Sequence, residues 1–199
     1  MKKIITMCLL IASSLWILAM NGGQPEKKFS KDKCVEITFD YNRKSGPGSN
    51  QYAVWVENEK NEVVKTLFVT SFTTKGRVRE GQPIKRGYTY RPTCVPTWVE
   101  HAKASEISDI ELDAFTGATP KESGKQTFMW DFTDNKGKRV AKGTYKVLVE
   151  ATLKNECRIL FTGTINPEAT VGEIPMTATE TGSNEEYAGM VKSVKVIVK

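Results

Sequence analysis

The residues that could do chemistry are few and lie close together. Asp113-Ala114-Phe115-Thr116-Gly117-Ala118-Thr119 sets two hydroxyls among small residues ahead of Pro120, and Gly followed by Thr-Pro suits a tight turn after a strand ending near Ala114. Asp109, Glu111 and Asp113 are spaced by two, which puts three carboxylates on one face of a strand. A calcium loop needs more oxygens at closer spacing and a central Gly, so solvated surface is the expectation there. The single His of the chain, His101, follows Glu100. As a metal ligand it has no Met or Cys spaced to help it, and an exposed histidine on a helix surface is expected instead. No Ser occupies a nucleophile elbow, one His excludes the usual hydrolytic triads, and Gly-rich phosphate cradles are absent. The expectation is a protein with no catalytic residues and no metal site.

These residues sit in a chain of 199 residues, 39% hydrophobic and 26% charged, with 29 Lys and Arg against 23 Asp and Glu. That length suits one core. The first residues read as an address: Lys2 and Lys3, an apolar run from Ile4 to Met20, then Asn21-Gly22-Gly23-Gln24-Pro25, the three parts of a secretory signal. An uncleaved anchor is the rival, because Trp16 stands where a small residue should precede Ala19 and the run approaches spanning length. Cys8 lies too early for a lipid acceptor. We therefore expect a signal peptide over 1–23, a polar linker over 24–33 and one domain over 34–199, periplasmic or secreted and without stable membrane insertion once the leader is cleaved. An exported protein rarely meets nucleic acid, so the net charge of +6 does not point there. Cys34, Cys94 and Cys157 remain after the leader. They allow one disulfide plus one thiol in three pairings, or buried unpaired thiols.

From residue 34 the apolar pattern has period two, broken by turn chemistry. Val35, Ile37, Phe39 and Tyr41 alternate with polar residues. Tyr52, Val54 and Val56 alternate with Ala53, Trp55 and Glu57, and after Glu59-Lys60-Asn61-Glu62 the run Val63 to Val69 completes a hairpin. Gln126 to Phe132, Tyr145 to Ala151, Arg158 to Ile165 and Val191 to Val198 are further strands. One helix is expected, Thr97 to Glu106, with Thr97 as cap and Trp98, Ala102 and Ser105 on one face. Two insertions break the rhythm: residues 73–96 are basic (Lys75, Arg77, Arg79, Lys85, Arg86, Arg91) and residues 166–189 acidic (Glu168, Glu173, Glu180, Glu185, Glu186). Both are expected to be solvated loops. The fold class is thus mainly β: an antiparallel β-sandwich of seven to nine strands with one short helix and two long loops.

The segment Trp130-Asp131-x-x-Asp134-x-x-Gly137-Lys138-x-Val140-x-x-Gly143-Thr144-Tyr145 ends a strand, makes two sharp reversals and starts the next strand with a tyrosine. Its spacing resembles the immunoglobulin-like module of flagellar hook-capping proteins and of secreted bacterial adhesins, so the resemblance implies an immunoglobulin-like sandwich. Taken with the leader, the Tyr52 to Val69 hairpin and Pro96-Thr97-Trp98, residues 34–198 resemble an uncharacterised family of bacterial periplasmic proteins, the domain of unknown function 2271, often labelled flagellin biosynthesis or hook-capping-like. That family brings no activity with it.

The heptapeptide 113–119 also resembles the acceptor motif of proteins that receive covalent flavin mononucleotide from a periplasmic, magnesium-dependent flavin transferase. There the pattern is Asp, two variable residues, Ser or Thr, Gly, Ala, Thr. The resemblance implies Thr119 as the acceptor, with Asp113, Thr116, Gly117 and Ala118 as its recognised context, flavin mononucleotide (FMN) as the one cofactor and the transferase as a partner. Ala114 and Lys121 depart from the common acceptor pattern. The leading expectation is a non-catalytic carrier or accessory in envelope electron transfer. An assembly or adhesion module binding a protein partner in the cell envelope is the alternative, and a small-molecule or metal binder using Asp109 to Asp113 with the basic loop is the third.

Overall fold

A computed structural model describes residues 33–45, 49–77, 81, 85–153, 157–168, 170–182 and 189–199. The expected leader lies outside these residues, as does nearly all of the linker. Ten strands and four short helices are found among them. The strands are β1 (Val35–Tyr41), β2 (Gln51–Asn58), β3 (Val63–Thr70), β4 (Thr116–Gly117), β5 (Gly124–Trp130), β6 (Tyr145–Thr152), β7 (Arg158–Ile165), β8 (Gly172–Ile174), β9 (Thr177–Thr181) and β10 (Val191–Val198). The helices are α1 (Ser71–Lys75), α2 (Gly87–Tyr90), α3 (Pro96–His101) and α4 (Asp109–Phe115).

The strands form two sheets, one in the order β5-β1-β10-β8 and the other β4-β3-β2-β6-β7-β9. Every pairing is antiparallel except β3 with β4. Period-two patterning builds the space between them: β1 alternates buried and half-buried along its whole length, as a strand with one face on a core must. Ile37, Phe39, Val54, Val56, Val147, Val149, Val196 and Trp130 meet there in one apolar cluster, and full burial of each such side chain contributes about 1.5–3 kcal/mol. The chain is a β-sandwich.

The outer face of the larger sheet is where the expectation fails. Ala53, Trp55 and Glu57 point away from the sandwich core yet are as buried as Tyr52, Val54 and Val56. A layer built from α1 to α4 covers them, and Ala53, Trp55, Val69 and Leu148 form a second apolar cluster with Trp98, Ala104 and Leu112. The single helix expected over 97–106 is therefore corrected to four short ones. The basic insertion 73–96 contributes the end of α1, all of α2 and the start of α3, while the acidic insertion 166–189 contributes β8 and β9. The helical cover extends the buried surface to both faces of β2, which a solvated loop could not do.

Local chemistry explains the boundaries. Ser108 and Glu111 make a capping box at the start of α4, satisfying two backbone donors reciprocally. Pro96 opens α3 where its missing N–H is not needed. Gly137 has φ +75° in the Asp134 to Lys138 turn, and the Tyr145 hydroxyl donates to the Ala141 carbonyl at 2.7 Å, as the turn chemistry predicts. The open half of β3 is closed by Asn135, whose backbone N–H donates to the Val64 carbonyl (3.0 Å) and whose side chain accepts from Thr66 N–H (2.9 Å). A turn thus occupies an edge that could otherwise pair with another chain.

Candidate functional site

The heptapeptide lies where the helical layer meets the edge of the larger sheet. Asp113 is on α4 with Asp109 and Glu111, so the three carboxylates share a helix and not a strand. Each has its own partner: Asp109 pairs with Arg86 (3.2 Å), Asp113 with Lys75 (2.9 Å), and Glu111 closes the capping box. Among the described residues no three His, Cys, Asp or Glu side chains gather as a metal site would require.

After Phe115 the helix ends and β4 runs parallel to β3, pairing Thr116 with Val69 and Gly117 with Thr70. The Thr116 hydroxyl donates to the Leu112 carbonyl at 2.6 Å and lies 3.0 Å from the Thr74 hydroxyl. Gly117 lies against the Phe68 ring, and a Cβ there would overlap it, which is a structural reason for glycine at this place. Ala118 is exposed and Thr119 half-buried. The turn after a strand expected at Ala114 is thus a helix-to-strand junction.

Thr119 borders a pocket of about 430 Å³ lined also by Arg43, Lys44, Ser49, Asn50 and Gln51. Its hydroxyl has one long contact, 3.5 Å to the Asn50 carbonyl. Arg43 straps the loop down: its guanidinium donates to the Pro120 carbonyl (2.9 Å) and its backbone N–H to the Ser123 hydroxyl (2.9 Å). The loop is accordingly held in place at two points. Asn50 and Gln51, almost fully buried, make the floor. The Asn50 amide accepts from Lys44 N–H (2.8 Å) and donates to the Lys44 carbonyl (2.9 Å), and Gln51 Oε1 accepts from the hydroxyls of Thr70 (2.6 Å) and Thr73 (3.2 Å). Arg91 donates to the Ser49 hydroxyl at 2.6 Å. Burial raises the Tyr41 phenol above its ordinary value and the charge of Arg43 pulls it partly back.

These residues fit the phosphate of a nucleotide esterified to Thr119. Thr119 is half-buried, Arg43 and Lys44 line the same pocket, and among the described residues no acidic one does. Of the residues expected at the site, the fold brings Thr119 to the pocket. Thr116 and Gly117 form the support beneath the loop, Ala118 faces solvent, and Asp113 stays on α4, tied to Lys75. Arg43 was invisible to sequence reasoning, because nothing local links it to a segment 77 residues away.

A second polar centre lies under the helical layer. Glu57 is buried, and one of its oxygens accepts from Trp55 Nε1–H at 2.6 Å and from His101 Nδ1–H at 2.6 Å. His101 is therefore half-buried and bound to a carboxylate, a correction to the exposed histidine expected. Glu150 is fully buried and accepts from the backbone N–H groups of Thr97 (3.2 Å) and Trp98 (3.1 Å) and from the Thr97 hydroxyl (2.9 Å). Thr97 was expected to cap the helix; the carboxylate of a sheet residue caps it instead. Burial raises the Glu150 carboxyl above its ordinary value, the hydrogen bonds from Trp98 and Thr97 opposing this. Beside the Glu57 pair runs an open groove lined by His101, Lys65, Lys103, Lys136 and Phe115. Cys94 and Cys157 are buried and Cys34 half-buried, with no disulfide among the described residues.

No helix among the described residues is long and apolar enough to cross a membrane. No curated protein and no solved structure matches the chain. A family model described as a predicted periplasmic protein of the DUF2271 type matches residues 34–185. That match takes in β1 to β9, the helical layer and the pocket beside Thr119, leaving β10 outside it, and the chain belongs to this uncharacterised family of predicted periplasmic proteins.

Proposed function

We propose that the protein is a non-catalytic carrier, holding a flavin nucleotide as a phosphoester on Thr119 and serving electron transfer in the cell envelope. One observation carries the reading: the hydroxyl of the residue that the acceptor motif singles out stands at a polar pocket whose charged lining, among the described residues, is cationic, Arg43 and Lys44. When bound, the flavin supplies the redox chemistry, and the chain contributes position and charge. Arg43 holds the loop and presents positive charge beside the ester, Asn50 fixes the backbone of Lys44, and the Gly117 junction sets the loop over β3. Co-expression with a flavin transferase tests this: the protein band should fluoresce as a flavoprotein after denaturing electrophoresis, and Thr119→Ala should remove that fluorescence. A colourless wild-type band alongside a flavinylated control acceptor contradicts the reading.

A second reading, an assembly or adhesion module, draws on one feature. Among the described residues strand β9 pairs with β7 alone in its sheet, and all five of its residues are exposed, so it offers an edge to an added strand. Concentration-dependent association, unchanged by Thr119→Ala and lost when Ala178 is replaced by Pro, would favour it.

A further inference from the structure

We infer that the pocket beside Thr119 is a phosphate-ester site in its own right, with Arg43 as its principal cation and Lys44 and Ser49 as its further donors. The phosphate, which rests on the flavin-carrier reading, is the phosphodiester of the nucleotide carried on Thr119.

Segments distant in sequence converge on it. Arg43 and Lys44 follow β1, Ser49 to Gln51 lead into β2, and Thr119 follows β4. Arg43 is fixed by its bond to the carbonyl of Pro120, the residue after Thr119. Its charge is therefore anchored to the same loop as the hydroxyl, and a guanidinium has five N–H donors, so this bond leaves others for an anion. The two hydrogen bonds between the Asn50 side chain and the Lys44 backbone fix where the Lys44 side chain leaves the chain. Asn50 is itself buried. Arg91 holds the Ser49 hydroxyl from behind. A cation pair set on a buried, hydrogen-bonded floor needs little reorganisation when an anion arrives, which is the condition for charge-assisted recognition. The weak contact of Thr119 Oγ1 at 3.5 Å costs little to give up.

The test uses the mature chain carrying Thr119→Ala, made without a transferase, so that no covalent flavin can form. Free FMN is titrated in at low salt and followed by flavin fluorescence anisotropy, with riboflavin and inorganic phosphate as comparators. Saturable binding of FMN, displacement by inorganic phosphate and no comparable binding of riboflavin are expected. Arg43→Gln should weaken FMN at least about tenfold, the scale of a lost charge-assisted bond. Arg43→Lys should recover part of that loss. Because Arg43 also holds the loop, Lys44→Gln is measured in parallel, with far-UV circular dichroism showing that both variants keep the fold, and should weaken FMN several-fold. Equal binding of FMN and riboflavin, no saturable binding, or indifference to both Arg43→Gln and Lys44→Gln would overturn the site. Covalent loading is scored separately on the wild-type chain. Loading without phosphate binding refutes the phosphate site and spares the carrier, while phosphate binding without loading does the reverse.

Discussion

The two faces of the larger sheet are built differently although they share the same strands. On the inner face Tyr52, Val54, Val56, Val147 and Val149 meet the other sheet through apolar contact alone or nearly so. On the outer face the same strands carry Gln51, Glu57 and Glu150, every one of them buried and hydrogen-bonded under the helical layer. The inner face holds by area removed from water, which tolerates changes that conserve volume. The outer face holds by partners that must all be present, since an unsatisfied buried acceptor or donor costs more than the bond contributes. Positional precision is therefore concentrated on the outer side and around the edge where Thr119 sits.

Removing bulk from the smaller sheet's side of the core, against which the inner face packs, should have the largest effect. Trp130 is fully buried, packs on Phe132 and Tyr145 with ring centroids 4.7 and 5.5 Å away, and donates to the Thr133 carbonyl. Trp130→Ala should destabilise by about 3–5 kcal/mol in denaturant unfolding; a loss below about 1 kcal/mol would mean the sandwich core is misplaced.

On the outer face, Glu150→Ala strips the start of α3 of its acceptor and should cost about 1–3 kcal/mol, read by the same unfolding measurement. Its pH dependence sharpens the contrast. A carboxyl raised by burial holds its proton longer in the native state than in the unfolded chain. Between the ordinary glutamate value of about 4.3 and the raised one, the native state binds more protons, so this group's contribution falls as pH rises through that window. Relative to Glu150→Gln, wild type should accordingly be favoured most at acid pH and lose that advantage as pH rises. A ratio independent of pH would place Glu150 in contact with water.

The alternation of Val35 to Tyr41, Tyr52 to Val56 and Tyr145 to Ala151 made the strands legible, because a residue facing the other sheet must be apolar whatever covers the opposite face. The cover was hidden. The alternation of Trp55 and Glu57 with Val54 and Val56 does not say what covers them, and only tertiary structure supplies the Trp98 and His101 that do. Helices of five and four residues, α1 and α2, are too short to show a period of 3.6. For α4 a signal existed in Ser108-x-x-Glu111, a capping box, but the spacing of Asp109, Glu111 and Asp113 by two imitates a strand. At the candidate site Thr119 could be singled out by its motif, whereas Arg43 and Asn50 reach it only through folding.

The smallest effect concerns the thiols. Burial pushes Cys94 up to about 11, so it holds little thiolate at neutral pH. Alkylation of the native protein should reach half-buried Cys34 well before Cys94; equal rates would mean the turn ahead of α3 opens freely.

Modification of Thr119 is tested most directly by the intact mass of the protein co-expressed with a flavin transferase, followed by peptide mapping. The predicted result is a gain of one flavin mononucleotide less water, confined to the peptide containing Thr119 and absent from Thr119→Ala. An unchanged mass, or the same gain on the Thr119→Ala chain, would contradict it.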